Sequence, residues 1–282
     1  KNNRSNIIRP FNHQLFVKNY LHSQSPYRGL LLYHGLGSGK SGASVIIAES
    51  FNDRQVVILL PASLETNYKT EIQTFGSQAY KKANHWVFVP FNLGRSTNKD
   101  KDKRSEIRSM FRNIGIGDYI FNLLLIKRNK MGYKSGIWLV NTSKQYPNYI
   151  TEEEKNKIES TPEYTSQNIT KREVIEVLTD EQKKEIDYQI DLMYRYKYRF
   201  IHTNAGSSTI TSILKLAGTK YKKVKKELKI TKKDSKLTQD ERITILDRMY
   251  SKNINPFDDK LVVVDEVHNL ASSIAGNGYN AP

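Results

Sequence analysis

The sequence contains no cysteine, which excludes disulfides, zinc-thiolate sites and a cysteine nucleophile, and suits a reducing compartment. Nowhere do apolar residues run for the roughly 20 positions that a membrane span needs. Residues 1–25 also lack the long apolar core of a signal peptide, so a soluble chain that is neither secreted nor membrane-bound is expected. Proline and glycine are not in excess, at 8 and 15 of 282 residues, and there is no internal repeat or proline-rich linker. Acidic residues are scarce beside basic ones: 29 Asp and Glu against 45 Lys and Arg leave a net charge of +16. Such a field suits a polyanion, with nucleic acid the expected partner and an anionic membrane the weaker reading. What is present, 38% hydrophobic and 10% aromatic residues, is too apolar for a disordered chain. At about 150 residues per domain it has room for one large domain or two small ones.

Short β-branched or leucine-rich runs alternate with amphipathic stretches, the pattern of βαβ units whose parallel sheet is covered on both faces. Strands are expected at Gly29–Tyr33, Gln55–Leu60, His85–Pro90, Arg199–His202 and Lys260–Val264, with helices at Lys40–Phe51 and Ala62–Phe75. The fold class is therefore α/β, and ligands belong at the carboxyl ends of the strands.

Lys40 and Asp265, the two chemically loaded positions, stand about 225 positions apart, where two or three βα units need on the order of 100 residues. The excess is an insertion. Residues 1–91 and 199–282 form the sheet domain, and 92–198 form a largely helical subdomain set into it, which also holds a strand-like piece at Gly136–Val140. Capping-box spacing at Thr151 with Glu154, and at Thr179 with Gln182, marks two helix starts there, the second followed by the apolar stripe Ile186, Ile190 and Met193. A further interruption, 215–236, carries ten lysines against Glu227 and Asp234. Ten like charges cannot pack together, so it reads as a flexible phosphate-binding loop, or as a loop that is merely solvated.

The run Leu30-Leu31-Leu32-Tyr33-His34-Gly35-Leu36-Gly37-Ser38-Gly39-Lys40-Ser41 takes a hydrophobic strand into a glycine-rich turn and then a helix, the context a P-loop requires. Gly35, Leu36, Gly37, Ser38 and Gly39 would bring bare backbone N–H groups to the triphosphate of ATP, and the helix adds its positive N-terminal end. Lys40 supplies a mobile cation for the β- and γ-phosphates, and Ser41 a hydroxyl for Mg2+. The strict pattern asks for glycine where this chain has His34, and a plain structural turn is the alternative.

A second apolar run, Leu261-Val262-Val263-Val264, ends in Asp265-Glu266-Val267-His268. A buried parallel strand delivers two such carboxylates beside the phosphate turn. Asp265 would hold the Mg2+ shell and Glu266 would polarise the attacking water. Alone, an acidic pair after a strand is an ordinary solvated turn; beside a phosphate loop it completes an ATP-hydrolysing site.

These two motifs together resemble the first RecA-like domain of superfamily-2 DExH ATPases. Leu60-Pro61-Ala62-Ser63-Leu64 with Asn67-Tyr68 and Glu71-Ile72 is similar to motif Ia of the Swi/Snf-type branch, which has Trp where this chain has Tyr68 and which also lacks the first P-loop glycine. Arg9-Pro10-Phe11-Asn12-His13-Gln14 resembles the adenine-reading segment, with Gln14 in the base-contacting place. Arg199-Phe200-Ile201-His202-Thr203-Asn204-Ala205 and Asn255-Pro256-Phe257-Asp258-Asp259-Lys260 look like the helicase-like transcription ATPases of large nucleocytoplasmic DNA viruses. That group includes the poxvirus nucleoside triphosphate phosphohydrolase I and the early transcription factor small subunit. The resemblance covers roughly residues 8–92 and 186–275.

It implies a nucleic-acid-dependent ATPase serving viral transcription, at initiation or termination, on double-stranded DNA. RNA polymerase or other transcription proteins would be partners, and the place of action would be the host cytoplasm, in a viral factory, or the virion. It also implies that Ser63 and Asn204 lie towards a nucleic-acid strand and that His268 couples hydrolysis to movement; a structural role for each is the alternative. Motif III, the second RecA-like domain and its arginine finger do not occur before Pro282, so a fragment of a longer protein is expected, consistent with a first residue Lys1. The segment alone would turn ATP over slowly, since a finger is worth about 10³ to 10⁵ in rate. Two other classes remain open: a non-catalytic scaffold in a transcription or virion assembly, and a DNA-packaging or restriction-type translocase. Tyr194-Arg195-Tyr196-Lys197-Tyr198-Arg199-Phe200 either stacks bases or, as preferred here, forms a half-buried strand.

Overall fold

The computed structural model describes residues 10–33, 37–82, 84–90, 98–130, 136–141, 148–149, 153 and 177–268. The chain forms two compact units, one from residues 1–74 with 197–282 and the other from 75–196.

In the first unit, α1 (Asn12–Tyr20), α2 (Lys40–Glu49), β1 (Gln55–Leu60) and α3 (Glu65–Phe75) come before the second unit. After it follow β4 (Tyr198–His202), the helices α7 (Ser207–Lys215), α8 (Thr219–Glu227) and α9 (Gln239–Ser251), and β5 (Lys260–Val264). The sheet has three parallel strands in the order β4-β1-β5. This is an α/β arrangement compatible with a RecA-like fold.

β1 is central because its sequence, QVVILL, suits nothing else: an unbroken β-branched and leucine run has no face to give to water. Val56, Val57, Ile58 and Leu60 are fully buried, each side chain stabilising the fold by about 1.5–3 kcal/mol. Val57, Leu59 and Ile201 meet Ile213, Leu216, Phe257 and Val264 in one cluster. Another cluster joins α1 to α2 through Val17, Leu21, Ala43, Ile47 and Phe51, with Leu32 and Leu261 against it.

The expected strand Gly29–Tyr33 is not formed. Leu32 turns inward, while Leu31 and Tyr33 are exposed, so the period of a strand persists without its ladder. Apolar alternation supplies the face, but a strand needs a hydrogen-bonded neighbour, and none lies beside this segment among the described residues.

The lysine-rich interruption is also not a loop. Tyr221 and Val224, three positions apart, seat α8 on a core of Leu214, Leu237, Ile245 and Met249. The few acids are placed where they count: Asp234 takes Lys215, Lys225 and the Tyr221 hydroxyl, and Glu227 takes Arg248 and Lys252. Thr238 and Glu241 start α9 with a reciprocal capping box.

The second unit holds β2 (Trp86–Pro90), α4 (Asn98–Asn113), α5 (Asp118–Lys130), β3 (Gly136–Val140) and most of α6 (Asp180–Lys197). β2 and β3 pair antiparallel as a separate ribbon, so the run expected at His85–Pro90 does not join the parallel sheet. Both outer edges of the ribbon are closed by buried amides. Asn148 accepts from Trp86 N–H and donates to its carbonyl at 2.7 and 2.8 Å, and Gln189 does the same for Trp138 at 3.0 and 2.7 Å. Edge groups that would otherwise be orphaned are thereby satisfied. The box at Thr179 and Gln182 forms reciprocally, whereas the one expected at Thr151 and Glu154 lies outside the described residues. The Tyr194–Phe200 alternation divides between the end of α6 and the start of β4.

Candidate functional site

The carboxyl ends of the three parallel strands are tied to one another by backbone. Thr203, after β4, donates to Leu60 O at 3.0 Å, and Asp265, after β5, donates to Leu59 O at 2.9 Å. The ends of β1, β4 and β5 therefore form one platform, where an open α/β sheet binds ligands.

On one side of the platform stands the glycine-rich turn. Gly37 and Gly39 have φ of 73° and 75°, left-handed values that cost a residue with a Cβ about 1–2 kcal/mol. Gly39 caps α2, so Lys40 and Ser41 open a helix whose first N–H groups have no intrahelical acceptor. The Ser38 Oγ is buried and has no hydrogen-bond partner among the described residues. A buried hydroxyl left without a partner, beside left-handed glycines and a helix N-terminus, is chemistry that fits a phosphate. His34, Gly35 and Leu36 lie outside the described residues.

Gln14 is fully buried against this turn. Its Nε2 donates to Gly39 O at 2.9 Å and its Oε1 accepts from Phe11 N–H at 2.9 Å, while His13 Nε2 lies 3.0 Å from Ser38 O. α1 thus grips the turn from behind.

The acidic pair stands directly after β5. Burial pushes the Asp265 carboxyl above the usual carboxylate range and the Glu266 charge adds to this, while the Glu266 N–H and the Lys40 ammonium pull it back. Lys40 and Asp265, at the two ends of the described sequence motif pair, therefore act on each other across the platform. Glu266 has φ 53°, a left-handed value for a non-glycine residue of the kind that collects at functional turns. Its N–H donates to Asp265 Oδ1 at 3.1 Å, and its Oε2 lies 3.1 Å from His268 Nδ1.

Ser63 and Asn204, expected on a nucleic-acid face, are both exposed. The Asn204 Oδ1 accepts from Ala62 N–H at 3.3 Å, so the turns after β4 and β1 meet there. His202 Nε2 lies 2.5 Å from Glu65 Oε2 beside them.

One connection was not foreseen. Tyr68 of α3 is 2% exposed, and its hydroxyl lies 2.6 Å from Ser44 Oγ, which donates to Ser41 O at 2.7 Å. Its ring packs edge-on against Phe200. Burial, and then the Asp265 charge, push the Tyr68 hydroxyl pKa well up, so it stays neutral. The sequence marked Tyr68 only as a motif position. The aromatic exchange at that position was the available clue, since a tyrosine carries a hydroxyl that must find a partner when buried.

Among the described residues no cluster of three or more His, Asp or Glu could by itself hold a metal, and no helix is long and apolar enough to cross a membrane. Mg2+ needs less, because it keeps waters and shares substrate phosphates, so the hard oxygens of Ser41 and Asp265 are a fitting set.

Two partial sequence similarities, both to proteins named as helicases, cover part of this chain. One similar protein, from Acanthamoeba polyphaga mimivirus and provisionally named an ATP-dependent RNA helicase, is 40% identical over 62 residues, 22% of this chain and 11% of its own length. A second from the same virus, with the same provisional description, is 41% identical over 59 residues, 20% of this chain and 7% of its own. The chain thus matches only a small part of either relative. No family model and no solved structure matches it.

Proposed function

We propose that the chain is the ATP-binding and ATP-hydrolysing first motor domain of a nucleic-acid-dependent superfamily-2 helicase or translocase of the DExH type, acting in viral transcription. The observation that supports this most is the electrostatic coupling of Lys40, at the start of α2, to Asp265, after β5. Distant in sequence, they lie within electrostatic reach of each other, as ATP hydrolysis needs of a cation and a metal-binding carboxylate.

In this reading the turn Gly35 to Gly39 cradles the phosphates, Lys40 balances their charge and Gln14 steadies the turn on the adenine side. Ser41 and Asp265 hold Mg2+, which when bound neutralises charge on the phosphoryl oxygens. Glu266 orients the water, and His268, within reach of Glu266, carries the hydrolytic state outward. Ser63 and Asn204 face the nucleic acid, with duplex DNA the favoured track and transcription proteins the companions. The host cytoplasm or the virion is the place of action in this reading; both similar proteins are viral.

The experiment is the ATPase rate of the chain alone and with duplex DNA, single-stranded DNA or RNA, beside Glu266→Gln. We expect a low rate raised by one nucleic acid and lowered about a hundredfold or more in the variant. A negligible rate under every condition, unchanged by the substitution, would replace this reading with a non-catalytic scaffold.

A further inference from the structure

We propose that the exposed face formed by Lys220, Lys222, Lys223 and Lys226 of α8, with Lys229 just past its C-terminal end, is a docking surface for the sugar-phosphate backbone of nucleic acid. The proposal rests on the nucleic-acid reading above and gives it a surface that neither sequence motif contains.

These five lysines are exposed and hold no carboxylate among the described residues. The nearby acids are already taken: Asp234 by Lys215 and Lys225, Glu227 by Arg248 and Lys252, and Glu241 by Lys232. Glu227, Asp234 and Glu241 thus answer other cations, and no ion pair reaches these five lysines among the described residues. The face is also held in place, since Tyr221 and Val224 anchor its reverse side in a buried core. Cations fixed on a helix, with four residues rising about 6 Å, present a repeating charge row without first having to order a loop. Duplex DNA offers one negative charge per roughly 1.7 Å of axis, so such a row meets several phosphates at once.

The location agrees. α7 begins directly after the turn that holds Asn204, and its Ile213 and Leu216 pack on β1 and β4, fixing the module to the strand ends. A lipid surface is disfavoured, because an interfacial helix needs an apolar face free for the membrane. The apolar side of α8 is spent on the module core, and no exposed large hydrophobic residue falls within 215–236.

The test is anisotropy of a labelled DNA duplex titrated with the whole chain between about 50 and 200 mM salt. The quadruple variant Lys222→Gln, Lys223→Gln, Lys226→Gln, Lys229→Gln should lower the slope of log affinity against log salt by about 3 to 4. Lys223→Gln alone should lower it by about 1. Thermal midpoint and nucleotide binding should match the unaltered chain, because these side chains support nothing else. If the chain binds duplex and both variants keep its slope, the surface assignment is overturned while the nucleic-acid reading stands. If the folded, nucleotide-binding chain ignores duplex, single strands and RNA, or prefers phosphatidylserine vesicles, both fall together.

Discussion

At the scale of single residues, the site depends on positions where a side chain must be absent as much as on those where one acts. A Cβ on Gly39 would stand 2.6 Å from Gln14 Nε2, besides requiring a φ of +75°. Gly37 needs a similar φ, but an added Cβ there meets nothing within 4 Å. Gly37→Ala should therefore cost about 1–2 kcal/mol of stability, the left-handed penalty alone. Gly39→Ala should cost more and also loosen nucleotide binding, because Gln14 has to move. Chemical denaturation with nucleotide titration checks both, and equal costs at the two sites would contradict the role given to Gln14. The glycines, Lys40 and the acidic pair stand out in the sequence because each is tied to chemistry that admits few substitutes. Gln14 was legible as a position, but its burial and its hold on Gly39 were not, since only the fold brings α1 behind the turn.

At the scale of elements, the link between α2 and α3 decides whether the phosphate turn and the Ser63 turn behave as one body. Tyr68→Phe and Ser44→Ala should each destabilise by about 1 kcal/mol, the usual net worth of a buried hydrogen bond. The double variant should lose little beyond either single one, since both remove the same contact; denaturation midpoints give the coupling, and simple additivity would show that the contact carries nothing. β1 could be read from sequence because its continuous apolar run is buried on both faces, and β4 and β5, which are less buried, from short runs of strand-forming residues. Gly29–Tyr33 misled for the complementary reason, as its pattern describes a face and says nothing of a ladder. The β2–β3 ribbon was illegible as a pair because its closure depends on Asn148 and Gln189, polar residues far along the chain that look like ordinary surface positions. Charge counting hid α8, where the spacing of Tyr221 and Val224 outweighs the lysines between them.

At the scale of the whole molecule, the +16 charge is organised rather than diffuse. Lys40 lies within electrostatic reach of Asp265, Lys197 is buried with its ammonium on Phe51 O at 2.6 Å, and the α8 lysines face solvent. One sign of charge thus stands in three different settings: near a strand-terminal carboxylate, inside the packing and on an exposed helix face. Composition could foresee the last of these and no arrangement of the other two.

The proposed function requires Lys40 and Asp265 to be two sides of one Mg-nucleotide site. It is tested most directly by titrating the chain with a fluorescent ATP analogue, with and without Mg2+, beside Lys40→Ala and Asp265→Asn. Binding should be saturable and weakened about tenfold or more by Lys40→Ala, as expected for loss of a charge-assisted contact of roughly 1.5–3 kcal/mol. Its Mg2+ dependence should be lost in Asp265→Asn. Equal affinity in all three proteins, or binding indifferent to Mg2+ in the unaltered chain, would contradict that requirement.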